Sequence, residues 1–253
     1  MKITVCELPS DQENFETAWA GLCKHCKEEK SEFVLLPEMP FDTWLAATQD
    51  ASDAKWHAAI DAHARWFERL PELGAEIVAS SRPVLIENKR FNVGFIWTEE
   101  GGIVDIHAKR YLPEEPGFWE ATWYSRGPNE FRSFQTPKGK IGFIICSELW
   151  FNKHARDYGK DGVQIILSPR ATESQSADKW VIGGRAVSVV SGAYCLSSNR
   201  AWNDTDSAVG WIIEPEHGDV LGLTSAAEPY LTIDIDLDRA DQAKSSYPRY
   251  VLG

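Results

Sequence analysis

The sequence has no apolar stretch long enough to cross a membrane. A spanning helix needs about 20 consecutive apolar residues, and no run in the 253 residues approaches that length. The N-terminal segment MKITVCEL also lacks the longer apolar region and the small-residue cleavage site of a secretory signal. We therefore expect a soluble, globular protein of the cytoplasm.

Basic residues are scarce relative to acidic ones. Lysine and arginine total 26 against 38 aspartates and glutamates, which gives a formal net charge of -12 at pH 7. A protein that binds nucleic acid or an anionic membrane needs a basic face for the phosphates. The composition disfavours both kinds of partner and leaves small molecules as the expected ligands.

The cysteine pattern argues against a disulfide framework. Five cysteines are scattered through a mid-sized chain without an export signal, which is typical of free thiols. Cys23 and Cys26 have the C-x-x-C spacing of a redox pair or half of a zinc site, but they lie within a helical pattern and no second pair follows. We expect Cys26 to pack in the core, and no metal or organic cofactor is predicted.

Strands and helices alternate along the chain. Helical patterns follow the first strand and recur over residues 53–70, 152–158 and 176–191. Short β-rich segments are predicted at residues 2–8, 33–36, 75–80, 91–97, 102–107, 131–135, 140–145, 163–168, 194–199, 210–213 and 231–236. No repeat or linker interrupts them, so we expect a single α/β domain over residues 1–253, with helices covering sheet faces.

Three strands end at residues of catalytic type. Glu38 follows FVLLP, Lys109 follows VDIHA and Cys146 follows IGFII. Functional groups in layered α/β folds collect at strand ends, where the rigid sheet positions them. Each residue alone is more often a surface charge or an inert buried thiol, so it is the combination that predicts an active site. His107 and His154 flank two of these segments, but a Cys–His dyad is less favoured.

The segments that contain these three residues resemble a known family. LLPEMPF, HAKRYLPEEPGFWE and GFIICSELWFNKHAR are similar to the three signature blocks of the nitrilase superfamily of carbon–nitrogen hydrolases, in the family's order. FNVGFIW, IILSPRAT and RAVSVVSGAYCLSSNR match supporting blocks, so the resemblance extends from the first strand to about residue 236. It implies a four-layer α-β-β-α sandwich.

The resemblance also implies a role for each residue. Glu38 is assigned as general base, Lys109 as stabiliser of the oxyanion and Cys146 as nucleophile. The chemistry agrees, because a thiol with a pKa of about 8.5 needs a base to become a thiolate. A fixed ammonium likewise stabilises the negative charge of a tetrahedral intermediate.

Members of the family often have a second catalytic glutamate in the loop after the lysine. Glu120, within PGFWEATW, matches this position best, and Glu114 and Glu115 are the alternatives. A loop carboxylate at the surface is the other interpretation of Glu120.

Tryptophans are concentrated in the loops of the three blocks. Trp44, Trp119 and Trp150 predict an aromatic substrate pocket and a medium-sized substrate with an apolar or aromatic body. Alternatively, the rings pack the loops themselves or a subunit interface. Arg170, in SPRAT at the next strand end, is a candidate for binding a substrate carboxylate or for pairing with a loop acid.

We expect hydrolysis of a primary amide to a carboxylic acid and ammonia through a Cys146 thioester. Nitrile hydrolysis and N-carbamoyl amide cleavage are the alternatives within the family. The second is weakened because Leu149 and Trp150 stand where hydrolases of carbamoyl amino acids place arginines. A non-catalytic binding protein and a thiol redox protein are the rivals from other classes. The resemblance also implies a homodimer or a higher homo-oligomer, with residues 247–252 crossing between subunits.

Overall fold

The structure, a computed structural model, describes residues 1–202 and 209–251. Within these residues the strands are β1 (Lys2–Pro9), β2 (Phe33–Leu35), β3 (Ile77–Ile86), β4 (Lys89–Thr98), β5 (Gly102–Ala108), β6 (Phe134–Thr136), β7 (Gly139–Phe143), β8 (Ile165–Arg170), β9 (Tyr194–Ala201), β10 (Trp211–Ile213), β11 (Val220–Leu223) and β12 (Tyr230–Asp234). The helices are α1 (Gln12–Glu29), α2 (Asp53–Phe67), α3 (Glu120–Trp123), α4 (Asn152–Lys160), α5 (Ala177–Ser191) and α6 (Leu237–Ala243).

The strands form two sheets that are joined at one place. The first has the order β5-β4-β3-β2-β1-β12 and the second the order β6-β7-β8-β9-β10-β11. The link is the parallel pairing of residues 7–9 of β1 with residues 199–201 of β9. β2 and β3 run parallel to β1, and β7 and β8 run parallel to β9. β4 is antiparallel to both β3 and β5, so β5 runs in the same direction as β3. The carboxyl ends of β2, β5 and β7 therefore share one edge of the structure.

Alternate side chains of each sheet face different cores. In β2, Phe33 and Leu35 face the layer between the sheets, and Val34 faces the helices α1 and α2 on the outer side, as the two-residue period of a strand requires. On the second sheet, Ile166 of β8 packs in the same outer cluster as Tyr158 of α4. The order helix, sheet, sheet, helix confirms the expected α-β-β-α sandwich.

Helix α1 covers the first sheet with one apolar face. Phe15, Trp19 and Leu22 are fully buried on that face, and their spacing is that of a helix with a single apolar stripe. The Asp11 side chain accepts a hydrogen bond from the Asn14 backbone N–H at 2.8 Å, which caps the helix N-terminus.

Two cysteines of the C-x-x-C pattern lie on the buried side of α1. All five cysteines of the chain are free and buried. Burial raises the pKa of Cys23 to about 11 and that of Cys26 to about 12. Because a redox pair needs an accessible thiol of low pKa, this arrangement argues against the thiol redox protein and agrees with a packing role for Cys26.

The structure extends β3 beyond residue 80, where the pattern predicted its end. Residues 80–86 pair with β4 alone, since β2 pairs with β3 only as far as Ala79. Pro83 has no N–H to donate, and a strand with one open side tolerates this loss. The short elements β11, α3 and α6 were also not predicted, because they contain too few residues for a periodic pattern.

None of the helices that the structure describes has the length and apolar character needed to cross a membrane. The segment expected to cross between subunits is described as far as Val251, and Leu252 lies outside the described residues. Tyr247 and Tyr250 in this segment are exposed, and the Arg156 guanidinium of α4 donates to the Val251 carbonyl. The segment therefore lies against α4 with its aromatic rings in solvent.

The layer between the sheets is expected to contribute most to stability. Leu196 of β9 is fully buried there, whereas Leu221 of β11 is exposed. Leu196→Ala should lower the free energy of unfolding by about 2–5 kcal/mol, because it removes buried methyl groups and leaves a cavity. Leu221→Ala is the matched control and should change it by about 0.5 kcal/mol or less. Urea denaturation measures both, and equal losses would contradict this description of the core.

Candidate active site

Strand ends bring four polar side chains together at one edge of the sandwich. Glu38 follows β2, Lys109 follows β5, and Cys146 follows β7 and begins a short 3-10 helix. Glu120 is the first residue of α3. Each of the four is buried. The structure thus places together Glu38, Lys109 and Cys146, which end predicted strands, and Glu120, which the family resemblance indicated.

Lys109 lies between two carboxylates. Its Nζ donates to Glu38 Oε1 at 2.7 Å and to Glu120 Oε1 at 2.8 Å. Burial by itself lowers the pKa of the ammonium, but the charges of Glu120 and Glu38 outweigh this effect and raise the pKa above its ordinary value. Lys109 is therefore a permanent cation in the site.

Glu120 titrates in an unusual range. Burial raises its pKa to about 7, and the neighbouring charge of Glu38 acts in the same direction, whereas Lys109 opposes both. The site thus contains a carboxyl group whose charge changes near neutral pH. Glu114, an alternative at the sequence level, instead accepts hydrogen bonds from Thr122, and Glu115 is exposed.

Asn92 of β4 fixes the orientation of Glu38. Its Nδ2 donates to Glu38 Oε1 at 2.7 Å, and its backbone carbonyl accepts the Lys109 N–H at 2.8 Å. The other carboxylate oxygen, Glu38 Oε2, has no hydrogen-bond partner among the described residues. Asn92 was not singled out from the sequence, although a buried amide within the apolar segment FNVGFIW was the available signal.

Cys146 has a strained backbone and a strongly perturbed thiol. Its φ of 47° is in the left-handed region that residues other than glycine rarely adopt, at a cost of roughly 1–3 kcal/mol. Burial raises the pKa of the Cys146 thiol, the charge of Glu38 adds to this, and Lys109 acts against it. The thiol is consequently protonated at neutral pH unless a neighbouring base accepts its proton.

Glu148 holds the turn that carries Cys146. Its carboxylate accepts the Ile145 N–H at 2.8 Å, the Arg110 N–H at 2.7 Å and a hydrogen bond from His107 Nε2 at 2.8 Å. His154 Nε2 pairs with the Tyr111 hydroxyl at 2.8 Å. Both histidines are thus engaged away from Cys146, which agrees with the low preference given to a Cys–His dyad.

Arg200 holds the segment that carries Glu38. Its buried guanidinium donates to the carbonyls of Met39 and, at 2.6 Å, Asp42. Met39 itself has a positive φ of 41°, and its N–H bonds to the Ser81 hydroxyl at 3.2 Å. The carboxylate is thus presented from a tightly constrained turn. Arg200 is distant from this turn in sequence, and no local pattern indicated its role.

An open cleft of about 410 Å³ leads to Cys146 and Glu120. Aromatic side chains, small polar side chains and four charged side chains form its walls. The lining residues are Pro113, Glu115, Phe118, Glu120, Cys146, Ser147, Trp150, Ala171, Thr172, Glu173, Ser176, Lys179 and Trp180.

The structure places the three predicted pocket tryptophans in different surroundings. Trp150 lines the cleft, with its ring centroid 4.9 Å from that of Trp180, which the sequence analysis did not identify. Trp44 is buried, donates to the Gly117 carbonyl at 3.0 Å and does not line the cleft. Trp119 packs in the same apolar cluster as Trp44, also away from the cleft. For these two rings the alternative interpretation, packing of the loops, describes what is observed.

Arg170, a candidate for binding a substrate carboxylate, is not among the residues that line the cleft. Its guanidinium is fully buried and donates to Ser197 Oγ and to Thr172 Oγ1, each at 2.7 Å. It also stacks on the Trp211 ring, 4.0 Å from the centroid. Burial lowers the pKa of Arg170 to about 10. With its donors engaged in the core, Arg170 organises the strand end instead of lining the cleft.

The family model of the carbon-nitrogen hydrolases matches residues 2–245. The chain belongs to the carbon-nitrogen hydrolase family. This confirms the resemblance inferred from the three sequence segments. Among the residues that the structure describes, no group of three or more histidine, cysteine or acidic side chains is placed to hold a metal ion.

Curated relatives of this chain are amidases. The N-carbamoylputrescine amidase of Solanum tuberosum is 31% identical over 140 residues, which are 52% of this chain and 44% of that protein. The match thus spans less than half the length of the potato protein. The omega-amidase NIT2 of Mus musculus is 27% identical over 195 residues, 72% of this chain and 70% of that protein.

Solved structures share the fold. A carbon-nitrogen hydrolase from Helicobacter pylori G27 aligns over 98% of this chain and 94% of its own, with a TM-score of 0.84 and 18% identity. An amidase from Nesterenkonia sp. aligns over 95% of this chain and 92% of its own, with a TM-score of 0.77 and 17% identity. These likenesses show that the chain shares the fold of these enzymes.

Removing the buried cation should destabilise the protein in a pH-dependent way. Lys109→Met leaves Glu38 and Glu120 without their counter-charge, so we expect a loss of roughly 3–5 kcal/mol in the free energy of unfolding. Unfolded carboxyls titrate near about 4.3, and the unpaired buried carboxyls titrate higher. The loss should therefore be larger at pH 8 than at pH 5.

Two further variants make this prediction specific. Adding Glu120→Gln to Lys109→Met removes one of the unpaired charges. The double variant should therefore regain part of the lost free energy of unfolding, measured by urea denaturation at pH 8. Lys153→Met, at an exposed ion pair with Asp157, should cost about 1 kcal/mol or less. A double variant as unstable as Lys109→Met would show that unpaired charge is not the cause.

Proposed function

We propose that the protein hydrolyses a primary amide to a carboxylic acid and ammonia, with Cys146 as nucleophile, Glu38 as general base, and Lys109 and Glu120 as the electrostatic partners. The observation that carries the proposal is the buried cluster in which Lys109 bridges two carboxylates beside a thiol at the wall of the cleft.

The first step is the attack of Cys146 on the amide carbon. Glu38 takes the thiol proton, and its oxygen Oε2, which has no partner among the described residues, is the available acceptor. The carbon–sulfur bond forms while the carbonyl electron pair moves to oxygen. Two of the three Lys109 N–H groups bind Glu38 and Glu120. The third has no hydrogen-bond partner among the described residues, so it can stabilise this oxyanion.

The second step releases ammonia and then the acid. Protonated Glu38 gives its proton to the amide nitrogen as the carbon–nitrogen bond breaks, which leaves a thioester on Cys146. Water then attacks the thioester while Glu38 accepts one of its protons. The carbon–sulfur bond breaks to give the carboxylic acid, and protonated Glu38 returns its proton to the Cys146 sulfur, which regenerates the free thiol. The base ends each half of the cycle in its starting state.

The cleft supports a medium-sized substrate with an apolar or aromatic part. Phe118, Trp150 and Trp180 supply the apolar wall. The likeness to omega-amidases supports an amide substrate. Cleavage of an N-carbamoyl amine is the second candidate, favoured by the potato relative and by the carboxylates of Glu115 and Glu173 in the lining. Nitrile hydrolysis is the lesser alternative.

We also propose that the chain forms one domain and assembles as a homodimer in the cytoplasm. Ile182 on α5 and Tyr247 near the C-terminus are 65% and 72% exposed. Trp150, Phe151 and Val251 add exposed apolar surface on the α4 and α5 side, which supports burial against a second copy. Five free thiols, one of them the proposed nucleophile, support a reducing compartment.

Loss of the nucleophile or of the base should remove activity. We expect Cys146→Ala to lower ammonia release by roughly 10³-fold or more, and Glu38→Gln to lower it by roughly 10²–10⁴-fold, because Gln cannot accept the thiol proton. Ammonia release from a panel of primary amides, nitriles and N-carbamoyl amines measures this and identifies the substrate class.

A buried thiol away from the site is the matched control. Cys195→Ala in β9 removes a buried sulfur and should leave ammonia release close to that of the unmodified protein. Full activity in Glu38→Gln would contradict the proposed base. Absence of ammonia release from every compound of the panel would contradict the proposed reaction.

The proposed dimer makes a separate prediction. Ile182→Glu places a charge in the apolar surface of α5 and should shift the protein from dimer to monomer in light scattering coupled to size-exclusion chromatography. Leu221→Glu, on exposed β11, is the control that should leave the dimer intact. A monomeric unmodified protein, or an Ile182→Glu variant that stays dimeric, would contradict this interface.

A further inference from the structure

A buried tyrosine lies one helical turn from Glu120. Tyr124 follows α3, and its backbone N–H donates to the Glu120 carbonyl at 2.9 Å. This i to i+4 bond places the two side chains on the same side of the turn. Tyr124 is buried, and Glu120 is fully buried beside Lys109. No sequence pattern gave Tyr124 a role.

The Tyr124 hydroxyl is a donor in a group of acceptors. The hydroxyl is buried and has no hydrogen-bond partner among the described residues, and Glu120 Oε2, one turn away, has none there either. Asn92 Oδ1 and Glu38 Oε2 likewise lack a partner among the described residues. An unsatisfied buried hydroxyl costs about 1–3 kcal/mol. This cost is avoided when a neighbouring carboxyl group such as Glu120 is ionised and accepts the hydroxyl hydrogen.

We propose that Tyr124 is a positioning residue that donates its hydroxyl hydrogen to ionised Glu120, and so keeps the charge of Lys109 divided between Glu120 and Glu38. This inference deepens the proposed function and rests on it. Its consequence concerns the base, because an ammonium bound to Glu38 alone would make that carboxylate a poorer proton acceptor for Cys146.

The electrostatics of the two side chains agree with this role. Burial, together with the charges of Glu120 and Glu38, raises the pKa of Tyr124 well above its ordinary value, so the hydroxyl remains protonated and able to donate. Burial and Glu38 raise the pKa of Glu120, and the Tyr124 hydroxyl is among the groups that lower it. Glu120 is therefore the member of the pair that changes charge near neutral pH.

The other groups around this pair come from five elements. Lys109, Glu38 and Cys146 act on Glu120 from the ends of β5, β2 and β7. On the far side, the Trp56 ring of α2 lies 5.7 Å from the Tyr124 ring. Arg90 of β4 donates to the Trp123 carbonyl at 3.4 Å and to Asp53 at 2.6 Å. Arg90 is thus paired with Asp53, which is exposed.

The direction of the effect of Tyr124→Phe follows from these contacts. A hydroxyl that donates to Glu120 stabilises the ionised form and lowers its pKa, so removing the hydroxyl raises that pKa. Protonated Glu120 then persists to higher pH, and Lys109 interacts with Glu38 alone over that range. In Tyr124→Phe, the rate of reactions in which Glu38 accepts the Cys146 proton should therefore rise only at a higher pH than in the unmodified protein.

The experiment measures the reactivity of the Cys146 thiol as a function of pH. The full chain is treated with iodoacetamide between pH 5 and 9, and alkylation of Cys146 is followed by mass spectrometry of its peptide. In Tyr124→Phe we expect the acid limb of the rate profile to move upward by roughly 0.5–1 pH unit. The kcat for an amide substrate should fall by roughly 3–10-fold at pH 7, with KM within about 2-fold.

Matched variants separate positioning from packing. Tyr194→Phe removes a hydroxyl that bonds to the Asp236 carbonyl at 3.0 Å, outside the site, and should leave the acid limb in place. In Glu120→Gln, which has no carboxylate to position, adding Tyr124→Phe should cause no further movement. The comparison of Glu120→Gln with the Glu120→Gln, Tyr124→Phe double variant also tests the inference if Tyr124→Phe alone folds poorly.

The outcomes distinguish the inference from the proposed reaction. A shifted alkylation profile without ammonia release from any amide would support the role of Tyr124 and overturn the reaction. An acid limb of Tyr124→Phe that coincides with that of the unmodified protein would overturn the inference. So would an equal movement in Tyr194→Phe, or a further movement in the Glu120→Gln background.

Discussion

The site depends on one buried ammonium held between two buried carboxylates. Without Lys109, the carboxylates of Glu38 and Glu120 would face each other in a medium of low polarity, and one of them would bind a proton. Without the carboxylates, the ammonium would itself be driven to neutrality by burial. The cluster is therefore stable only as a unit. Burial raises the pKa of the Cys146 thiol beside it, and the two carboxylates add to this shift while Lys109 opposes it.

The sandwich positions this cluster by geometry alone. β2, β5 and β7 run in one direction, so residues that follow them in distant parts of the chain meet at a single edge. Hydrogen bonds from neighbouring residues then orient the side chains of the cluster. Asn92 donates to Glu38, Glu148 accepts the backbone N–H of Ile145 before the Cys146 turn, and Arg200 donates to the Met39 carbonyl after Glu38. Strain at Cys146 and Met39 is tolerated because these contacts determine the backbone on every side.

The sequence predicts features that depend on neighbouring residues in the chain better than features that depend on residues far apart in the chain. Glu38, Lys109 and Cys146 end apolar strands, and strand ends are visible in a local pattern, so their convergence and the layered fold were predictable. Arg170 also follows an apolar strand, but contacts with Thr172, Ser197 and the Trp211 ring turn it into the core. Those long-range contacts leave no local signal. Arg200 and Trp180 were missed for the same reason. Asn92 differs, because a polar amide within the apolar segment FNVGFIW is itself a local signal.

Burial of the thiol explains why the whole cluster is needed. Desolvation makes the Cys146 thiolate unfavourable in the resting protein, which protects the thiol from adventitious reaction. In the proposed reaction, the proton leaves only when Glu38 can accept it and the developing oxyanion can meet the free Lys109 N–H. A change in how Lys109 divides its charge between Glu38 and Glu120 therefore alters the base strength directly. Glu120 titrates near neutral pH. In this proposal, both the pH and the Tyr124 hydroxyl change the charge of Glu120 and thereby affect the deprotonation of Cys146.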